Sequence, residues 1–483
     1  MPRLFRAGHA FLYPGDTLFN PFTESQRLSL KRVNLKLLTS PVFRGAVGIA
    51  GASLFLAVAW CALLTGASRS LSDYSVRTGN LTAAETSVRM TPGDPQAHLA
   101  RADLLYSDPE GETGAPGEIS PLRREATRSY RDSLKLRPLD YALWDSLGQA
   151  LEEIGERDEA LRAFTEATRL APFYARPRWQ LGNFLVRQQG RDREAFDHLR
   201  RAASSDPVRF PNLIDLAWRF YNGEVSRVEA AVRPETDAER LRLARFYVKQ
   251  AKAKDAMRLY GQLGATVAAE QKALLTDLLA AGEFAAAHQL WLLAEGAAET
   301  TPGQIYDGGF EREIRLHDPG FGWQIAAATA NDPTVSIALD SGESMEGRRS
   351  LRVDFNGASA PATPIISQLV LAEAAAAPAA AGRPYRLTFA ARTKDLVTGG
   401  LPIVTVTDAS APDKPVLLAQ SKTLPPKEGG VAEGWQTFNV EFTPAHSTRA
   451  IRVALLRQNC AAGGGPCPAF GHVWLDAFTL KKL

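Results

Sequence analysis

The sequence predicts a multidomain α plus β protein with a single transmembrane helix, an α-helical superhelix of repeats and a C-terminal antiparallel β-sandwich. Three observations lead to this prediction. Residues 45–67 carry no charge, residues 72–297 repeat a helix-pair pattern about every 34 residues, and the chain from residue 303 onward alternates apolar and polar residues with period two. With 483 residues, the chain is long enough for several domains.

The amino-acid composition argues against a nucleic-acid-binding protein and against common types of zinc site. The chain has 56 lysines and arginines against 53 aspartates and glutamates, for a net charge of +3, whereas a nucleic-acid-binding protein normally concentrates basic charge on one surface. Its 3 cysteines are too few for a cysteine-only zinc cluster, and its 7 histidines show neither HExxH nor HxH spacing. We therefore expect no nucleic-acid partner and no zinc site of these types.

Residues 45–67 are predicted to form a transmembrane helix. This stretch of 23 uncharged residues lies between Arg44 and Arg69, and at about 1.5 Å per residue it crosses a hydrocarbon core of about 30 Å. A buried helix of a globular domain is the alternative, but such helices normally carry polar residues on one face. The apolar stretch therefore favours a membrane anchor.

The flanking charges predict the orientation of this anchor. Five basic residues lie shortly before it, and two, Arg69 and Arg77, lie shortly after it. The five are Arg27, Lys31, Arg32, Lys36 and Arg44. Because basic residues stay on the cytoplasmic side, residues 1–44 are predicted to be cytoplasmic and the later domains periplasmic, in a single-pass protein of the inner membrane. A cleaved signal peptide is the alternative, but the leader and the apolar core are both longer than normal signal dimensions.

Residues 72–297 are predicted to form helical repeats, best seen in residues 141–174. Apolar and small residues recur there at fixed spacing: Trp144, Leu147, Gly148, Leu151, Ala160, Phe164, Ala167 and Pro172. These positions resemble the signature of the tetratricopeptide repeat family. Gly148 and Ala160 are small where paired helices would approach, and Pro172 ends the unit because proline cannot continue a helix. About six units, some of them degenerate, are expected.

The family resemblance implies a concave groove lined by the first helix of each pair, which binds polypeptides in most tetratricopeptide proteins. The groove positions of the family fall on Asp145, Gln149, Glu152, Arg176, Trp179 and Asn183. Trp179 is the most informative of them, because a groove aromatic is a typical anchor for a partner. The alternative is that its ring packs against the neighbouring helix.

Residues 303–483 are predicted to form a β-sandwich, because short alternating strands are separated by loops rich in glycine and proline. The order of its motifs resembles carbohydrate-binding modules of the galactose-binding-like, jelly-roll type. The matching motifs are residues 307–311, 322–323, 347–353, 385–389, 434–438 and 474–476. Asp307 stands where the family usually has asparagine.

A sugar-binding site needs an aromatic ring whose face packs on the sugar, beside polar side chains that hydrogen-bond the sugar hydroxyls. Trp323 is the aromatic candidate, and Gln368 and Arg392 match polar positions on the concave face of the family. The alternative is that this domain is a structural cap without a sugar site. The resemblance also implies a structural calcium bridging Glu311 and Asp476, since carboxylate oxygens suit calcium. No other cofactor is expected.

Cys460 and Cys467 flank the six-residue loop AAGGGP between the last two predicted strands. In an oxidising compartment they would form a disulfide that rigidifies a hairpin. Two free thiols are the alternative. Cys61 lies inside the predicted membrane helix.

The sequence contains no P-loop, no dinucleotide-binding glycine fingerprint and no GxSxG elbow. We therefore expect a non-enzymatic scaffold of the bacterial cell envelope. Its repeats would bind an envelope protein, and its sandwich would cap the array or bind glycan, in surface polysaccharide assembly or export. The alternative is a periplasmic glycan hydrolase built on the sandwich, because two acids that converge only in the fold leave no local motif.

Overall fold

The computed structural model describes residues 41–107, 120–264, 268–295, 301–314, 319–359, 363–373, 382–411, 414–425, 434–460 and 467–483. Most of the predicted cytoplasmic segment, residues 108–119 and the six residues between Cys460 and Cys467 lie outside these ranges. The chain forms two compact units, Met1–Leu170 and Ala171–Leu483. The division falls inside the predicted repeat region, whereas the sequence suggested a boundary near residue 300.

The described part of the first unit contains six α-helices. They are α1 (Pro41–Thr78), α2 (Leu81–Met90), α3 (Pro95–Ser107), α4 (Pro121–Leu136), α5 (Tyr141–Glu153) and α6 (Arg157–Leu170). Each odd-numbered helix pairs with the next even-numbered one. At the α5–α6 crossing, a Cβ atom on Gly148 would lie 2.7 Å from the Phe164 ring, so glycine permits this close approach. The pairing and the close approach match the tetratricopeptide-like pattern predicted from sequence.

Helix α1 contains the long apolar stretch and also begins the repeats. The segment Arg44–Thr78 is long and apolar enough to cross a membrane, with a mean hydropathy of 2.2 in its most apolar window, and none of that window is buried. Past the apolar stretch, Ser68 donates to the Ser87 carbonyl of α2 at 3.0 Å, and the Ser72 and Ser87 hydroxyls lie 2.6 Å apart. The same helix therefore continues, without a break, into the first helix pair.

The described part of the second unit begins with eight α-helices. They are α7 (Ala175–Val186), α8 (Asp192–Ser205), α9 (Phe210–Phe220), α10 (Val225–Val232), α11 (Asp237–Lys249), α12 (Ala253–Tyr260), α13 (Ala268–Ala280) and α14 (Phe284–Glu295). A 3₁₀ turn, Pro207–Arg209, precedes α9. The helices again form consecutive pairs, which makes seven pairs among the described residues of the whole chain. About six units were expected, and the additional pair uses the end of α1.

Ten strands and a one-turn helix, α15 (Ala327–Ala330), follow in the described residues of the second unit. The strands are β1 (Trp323–Ile325), β2 (Val335–Asp340), β3 (Ser350–Ser359), β4 (Ile366–Leu371), β5 (Tyr385–Thr398), β6 (Pro402–Asp408), β7 (Val416–Gln420), β8 (Gln436–Phe442), β9 (Ala450–Arg457) and β10 (Cys467–Lys482).

The strands form a two-sheet antiparallel sandwich, as predicted. One sheet has the order β1-β4-β9-β6-β7, and we call it the helix-side sheet because β4 contacts α14. The other has the order β2-β3-β10-β5-β8, and we call it the outer sheet. Alternate residues of the strands fill the core between the sheets, including Leu351, Val353 and Phe355 of β3. This burial follows the period-two pattern seen in the sequence.

The end of β4, in the helix-side sheet, is apolar on both faces. Val370 of β4 is buried in the sandwich core, whereas Leu369 and Leu371 are buried in the same apolar cluster as Leu290 and Trp291 of α14. A strand buried on both faces reads as a continuous apolar run, which describes the end of β4. The last helix pair and the helix-side sheet therefore share one hydrophobic cluster inside the second unit.

Candidate functional site

Helix α5 carries the three predicted groove residues of the first unit, one on each successive turn. Asp140 caps the helix by accepting the Ala142 N–H at 3.0 Å. Asp145 is fully buried, and Gln149 donates to its carboxylate at 3.3 Å. Gln149 and Glu152 are half-buried. Of these three residues, only Gln149 and Glu152 present side-chain surface to solvent.

Helix α7 carries the other three predicted groove residues. Trp179 is half-buried, with one side of its ring packed against the helical core. The guanidinium carbon of Arg209 lies 5.5 Å from the centroid of the ring, within the range of a cation–π interaction. Arg176 is exposed and Asn183 is half-buried. Trp179 therefore combines a packing contact with surface that a partner can reach.

Trp323, the aromatic sugar-site candidate, is buried in the sandwich core. Its ring centroid lies 4.9 Å from that of Phe310 and 5.0 Å from that of Phe478, and its indole N–H donates to the Asp307 carbonyl at 3.0 Å. Stacking on a sugar needs an exposed ring face. The geometry therefore favours a core role for Trp323, and the predicted sugar contact receives no support from it.

Gln368 is also fully buried. Its side-chain oxygen accepts the Tyr306 N–H at 3.1 Å, and its side-chain nitrogen donates to the Tyr306 carbonyl at 2.7 Å. This paired contact fixes the segment that joins α14 to the first strand. Both halves of the amide are occupied, so Gln368 acts here as a structural clamp.

Arg392 lies on the outer sheet, apart from the two other sugar-site candidates. It sits opposite Trp474 in the β5–β10 register, and its guanidinium carbon lies 5.7 Å from the indole centroid. Arg352 approaches the same ring at 5.8 Å, and Asp340 accepts the indole N–H at 2.9 Å. Arg392 also forms an ion pair with Glu343. The structure therefore does not bring Trp323, Gln368 and Arg392 together into one site.

Glu311 and Asp476, the predicted calcium ligands, hold a loop through backbone hydrogen bonds. Glu311 Oε1 accepts the N–H groups of Arg348 and Arg349 at 2.6 and 3.1 Å, and the Arg348 bond is the main cause of a lowered Glu311 pKa. Asp476 Oδ2 accepts those of Met345 and Glu346 at 2.7 and 3.0 Å, while burial raises the pKa of Asp476.

These bonds occupy carboxylate oxygens that a cation would need. Among the described residues, no group of three or more histidine, cysteine, aspartate or glutamate side chains converges as a metal site would require. A structural calcium at Glu311 and Asp476 remains a prediction.

Cys460 and Cys467 are joined by a disulfide, with their Cα atoms 5.9 Å apart. Beside it lies Arg457, a fully buried residue that sequence reasoning missed. Its guanidinium donates to the Cys467 carbonyl at 2.8 Å and to the Thr398 hydroxyl at 3.1 Å. These bonds tie the end of β9 to the ends of β10 and β5.

The junction between α14 and the sandwich was also missed. The rings of Trp291 and His288 on α14 pack against Phe321, with centroids 5.8 and 4.8 Å from its ring. Gly320 lies against Trp291 so closely that a side chain there would overlap the indole. The apolar run at the end of β4 was the available signal, because a strand next to solvent on one face would alternate.

Comparison with known proteins gives partial likenesses only, and no family model matches the chain. A peroxisomal targeting signal receptor of Candida albicans is 27% identical over 128 residues, which is 26% of this chain and 19% of the receptor. The chain thus matches about a fifth of the length of that curated relative.

Solved structures resemble separate parts of the chain. The match with MamA covers 50% of this chain and 98% of the MamA chain, at 14% identity and a TM-score of 0.27. The match with YrrB, a tetratricopeptide protein with a peptide-binding site, covers 48% of this chain and 90% of the YrrB chain at 13% identity and a TM-score of 0.25. The CBM22-1 xylan-binding domain of Paenibacillus barcinonensis Xyn10C covers 38% and 97% at 10% identity and a TM-score of 0.24.

Likenesses this distant carry no information about activity, and the fold is assigned from the helix pairs and strand order described above. The chain combines a tetratricopeptide-like helical repeat region with a two-sheet antiparallel β-sandwich that resembles carbohydrate-binding modules.

Proposed function

We propose that this protein is a non-enzymatic binding scaffold of the bacterial cell envelope, anchored in the inner membrane. Its repeats bind a protein partner, and its sandwich, a jelly roll in this proposal, caps the array. No cofactor is required. We expect the protein to serve surface polysaccharide assembly or export. A membrane anchor, binding repeats and a domain that resembles carbohydrate-binding modules suit a protein that holds the components of such a pathway together at the membrane.

The observation that carries the capping role is the shared core of the last helix pair and the helix-side sheet. A solenoid needs a terminal cap, since its last repeat otherwise exposes the apolar face that the next repeat would cover. Leu369 and Leu371 cover that face here. The outer sheet, which carries Arg392, is left as the surface on which glycan would bind.

The anchor is α1 in this proposal. No residue of its apolar stretch is buried, which suits a helix surrounded by lipid. The basic residues before it support an N-terminus in the cytoplasm, with the repeats and sandwich in the periplasm. An oxidising compartment also suits the disulfide between Cys460 and Cys467.

One experiment separates the scaffold from the rival hydrolase. The full chain, purified in detergent, is tested for binding on a glycan array and for release of reducing ends from periplasmic glycans. The scaffold proposal expects no release. Release that one carboxylate substitution abolishes, for example Glu343→Gln beside Arg392, would establish the hydrolase and overturn the scaffold.

A further inference from the structure

A concavity of about 620 Å³ lies among helices α8 to α11 of the second unit. Its walls come from the end of α8, the turn before α9, the end of α10 and the first turns of α11. These segments connect the helices, and none of the six predicted groove residues lines the concavity. We call this concavity the arginine pocket.

The floor of the arginine pocket is apolar and its rim is basic. Phe210, Leu213 and Val232 line it and are buried. Four arginines also line it, namely Arg200, Arg201, Arg233 and Arg242. The combination of an apolar floor with a cationic rim suits a ligand that carries both apolar and anionic groups.

Most acidic side chains of the pocket already have partners. Asp197 forms an ion pair with Arg200. Glu239 belongs to the capping box of α11, where its carboxylate accepts the N–H groups of Glu235 and Thr236 at 2.9 and 3.1 Å. Among the lining residues, Glu235 is the remaining carboxylate.

The arginine side chains of the pocket have fewer ion-pair and hydrogen-bond partners than its acidic side chains. Within the described part of the chain, the side chains of Arg201 and Arg233 have no ion pair and no hydrogen bond. Arg242 reaches one acceptor, the Pro207 carbonyl, at 3.5 Å. Burial lowers the pKa of Arg200, and the charges of Arg233 and Arg201 lower it further. Positive charge therefore exceeds negative charge in the pocket, and guanidinium groups are free to bind an anion.

Arg233 also adopts a backbone conformation that favours glycine. It ends α10 with φ 44° and ψ 71°, in the left-handed region. Glycine is usual at such a helix end, and a branched or long side chain there costs stability. Arginine at this position lowers local stability relative to glycine, and its cationic side chain lines the pocket.

We propose that the arginine pocket binds an acidic segment of the protein partner, with carboxylates on Arg201, Arg233 and Arg242 and apolar neighbours on Phe210 and Val232. This inference rests on the proposed function, because it names the chemistry of the partner that the repeats bind. Arginine forks bind carboxylates in a bidentate manner, which gives direction as well as affinity.

The test uses a short synthetic peptide in which aspartates and glutamates alternate with leucines. Its affinity for the full chain in detergent is measured by fluorescence anisotropy, beside the same peptide with asparagine and glutamine in place of the acids. The decisive variant is Arg233→Gly, since glycine suits the left-handed backbone and the fold should be kept or strengthened. Arg193→Ala removes another exposed arginine of α8, outside the pocket lining, and serves as the matched control.

The proposal expects the acidic peptide to bind and the amide peptide to bind at least about tenfold more weakly. Arg233→Gly should lower the affinity by about tenfold with an unchanged or higher melting temperature, and Arg193→Ala should leave it unchanged. Equal binding of both peptides, or unaltered binding to Arg233→Gly, would overturn it. Binding of inorganic pyrophosphate more tightly than the peptide would also overturn it in favour of a phosphate site.

Failure here is distinguishable from failure of the scaffold proposal. Trp179→Ala alters the predicted groove and removes no residue that lines the arginine pocket. If a partner is captured through Trp179 while the pocket binds no acid, the scaffold stands and the acidic-segment inference falls. If the pocket binds the acidic peptide and Trp179→Ala changes nothing, the predicted groove is wrong while the pocket stands.

Discussion

The rings of Trp291 and Tyr306 meet edge to face, with centroids 4.8 Å apart and planes at 84°. Trp291 belongs to α14, the last helix of the repeats, and Tyr306 belongs to the segment that leads into the sandwich, where Gln368 holds its backbone. Aromatic pairs in this arrangement add stabilisation beyond the burial of their area. We therefore expect the sandwich and the end of the repeats to unfold as one cooperative unit.

Trp291→Ala should lower the free energy of unfolding of the second unit by roughly 3–5 kcal/mol, because it removes a buried indole and leaves a cavity. Chemical denaturation followed by circular dichroism measures this change. Phe173→Ala is the control, since Phe173 is 87% exposed, and should change stability by less than about 0.5 kcal/mol. Equal, small effects of both substitutions would show that the last helix and the sandwich fold independently.

Gly148→Ala should destabilise the first unit by about 1–3 kcal/mol, because the added methyl group would overlap the Phe164 ring. Gly93→Ala is the matched control, since a Cβ there meets no atom within 4 Å. The melting temperatures of the two variants measure the difference. A drop that is the same for both would contradict the close approach of α5 and α6.

Trp179→Ala should weaken capture of an envelope protein and leave the fold intact, because the ring is half-exposed. An aromatic anchor contributes on the order of 2 kcal/mol or more to binding. Crosslinking from position 179 in cells, together with thermal unfolding of the variant, gives both readouts. A loss of about 3 kcal/mol or more in stability would instead assign the ring to the helix core.

Acidification should destabilise the junction at His288. Burial lowers the pKa of this imidazole below its ordinary value of 6.5, so the unfolded chain binds a proton more readily than the folded one. The free energy of unfolding is then highest above pH 6.5 and falls as the pH drops below it, by up to about 1.4 kcal/mol per pH unit.

His288→Leu should reduce this slope and leave the part that comes from His198, whose pKa burial also lowers. Replacing the exposed His446 by leucine should leave the slope unchanged. Denaturation curves at several pH values between 5 and 8 measure both variants. An undiminished slope in His288→Leu would assign the acid sensitivity to other groups.

Protein taken from the envelope should contain the disulfide between Cys460 and Cys467, with Cys61 as a free thiol. Mass spectrometry of alkylated, non-reduced peptides reads the pairing directly. Reduction should lower the free energy of unfolding by about 2–3 kcal/mol, as expected for a short loop, and should have no effect on Cys460→Ser. Recovery of both loop cysteines as alkylated thiols would remove the bond and weaken the periplasmic location.

The spacing of apolar and small residues along the chain predicted those parts of the fold that depend on residues close together in sequence. Gly148 and Phe164 could be recognised because the contact of two paired helices repeats with the helix period. Leu351 and Val353 could be placed in the sandwich core because alternation identifies one face of a strand. The long apolar helix was equally visible, since length and lack of charge are properties of the sequence itself.

The predicted site residues depend on contacts between distant segments, which local spacing does not contain. The burial of Trp323 requires Phe310 and Phe478, and Phe478 lies on the last strand. Gln368 meets the Tyr306 backbone 62 residues away in sequence. The half-burial of Trp179 involves Arg209 from a later turn. Family positions therefore located these side chains on elements without showing what surrounds them.

Helix α1 has a mechanical consequence. Ser68, the first residue of α1 that is buried against α2, directly follows the apolar stretch that ends at Ala67. The 38 residues of α1 form a rod about 57 Å long, at about 1.5 Å per residue. In the proposed topology no hinge separates the bilayer from the first helix pair. The rod would hold that pair at headgroup height, and its tilt in the lipid would set the angle of the pair, so a force on the array would act as a torque within the membrane.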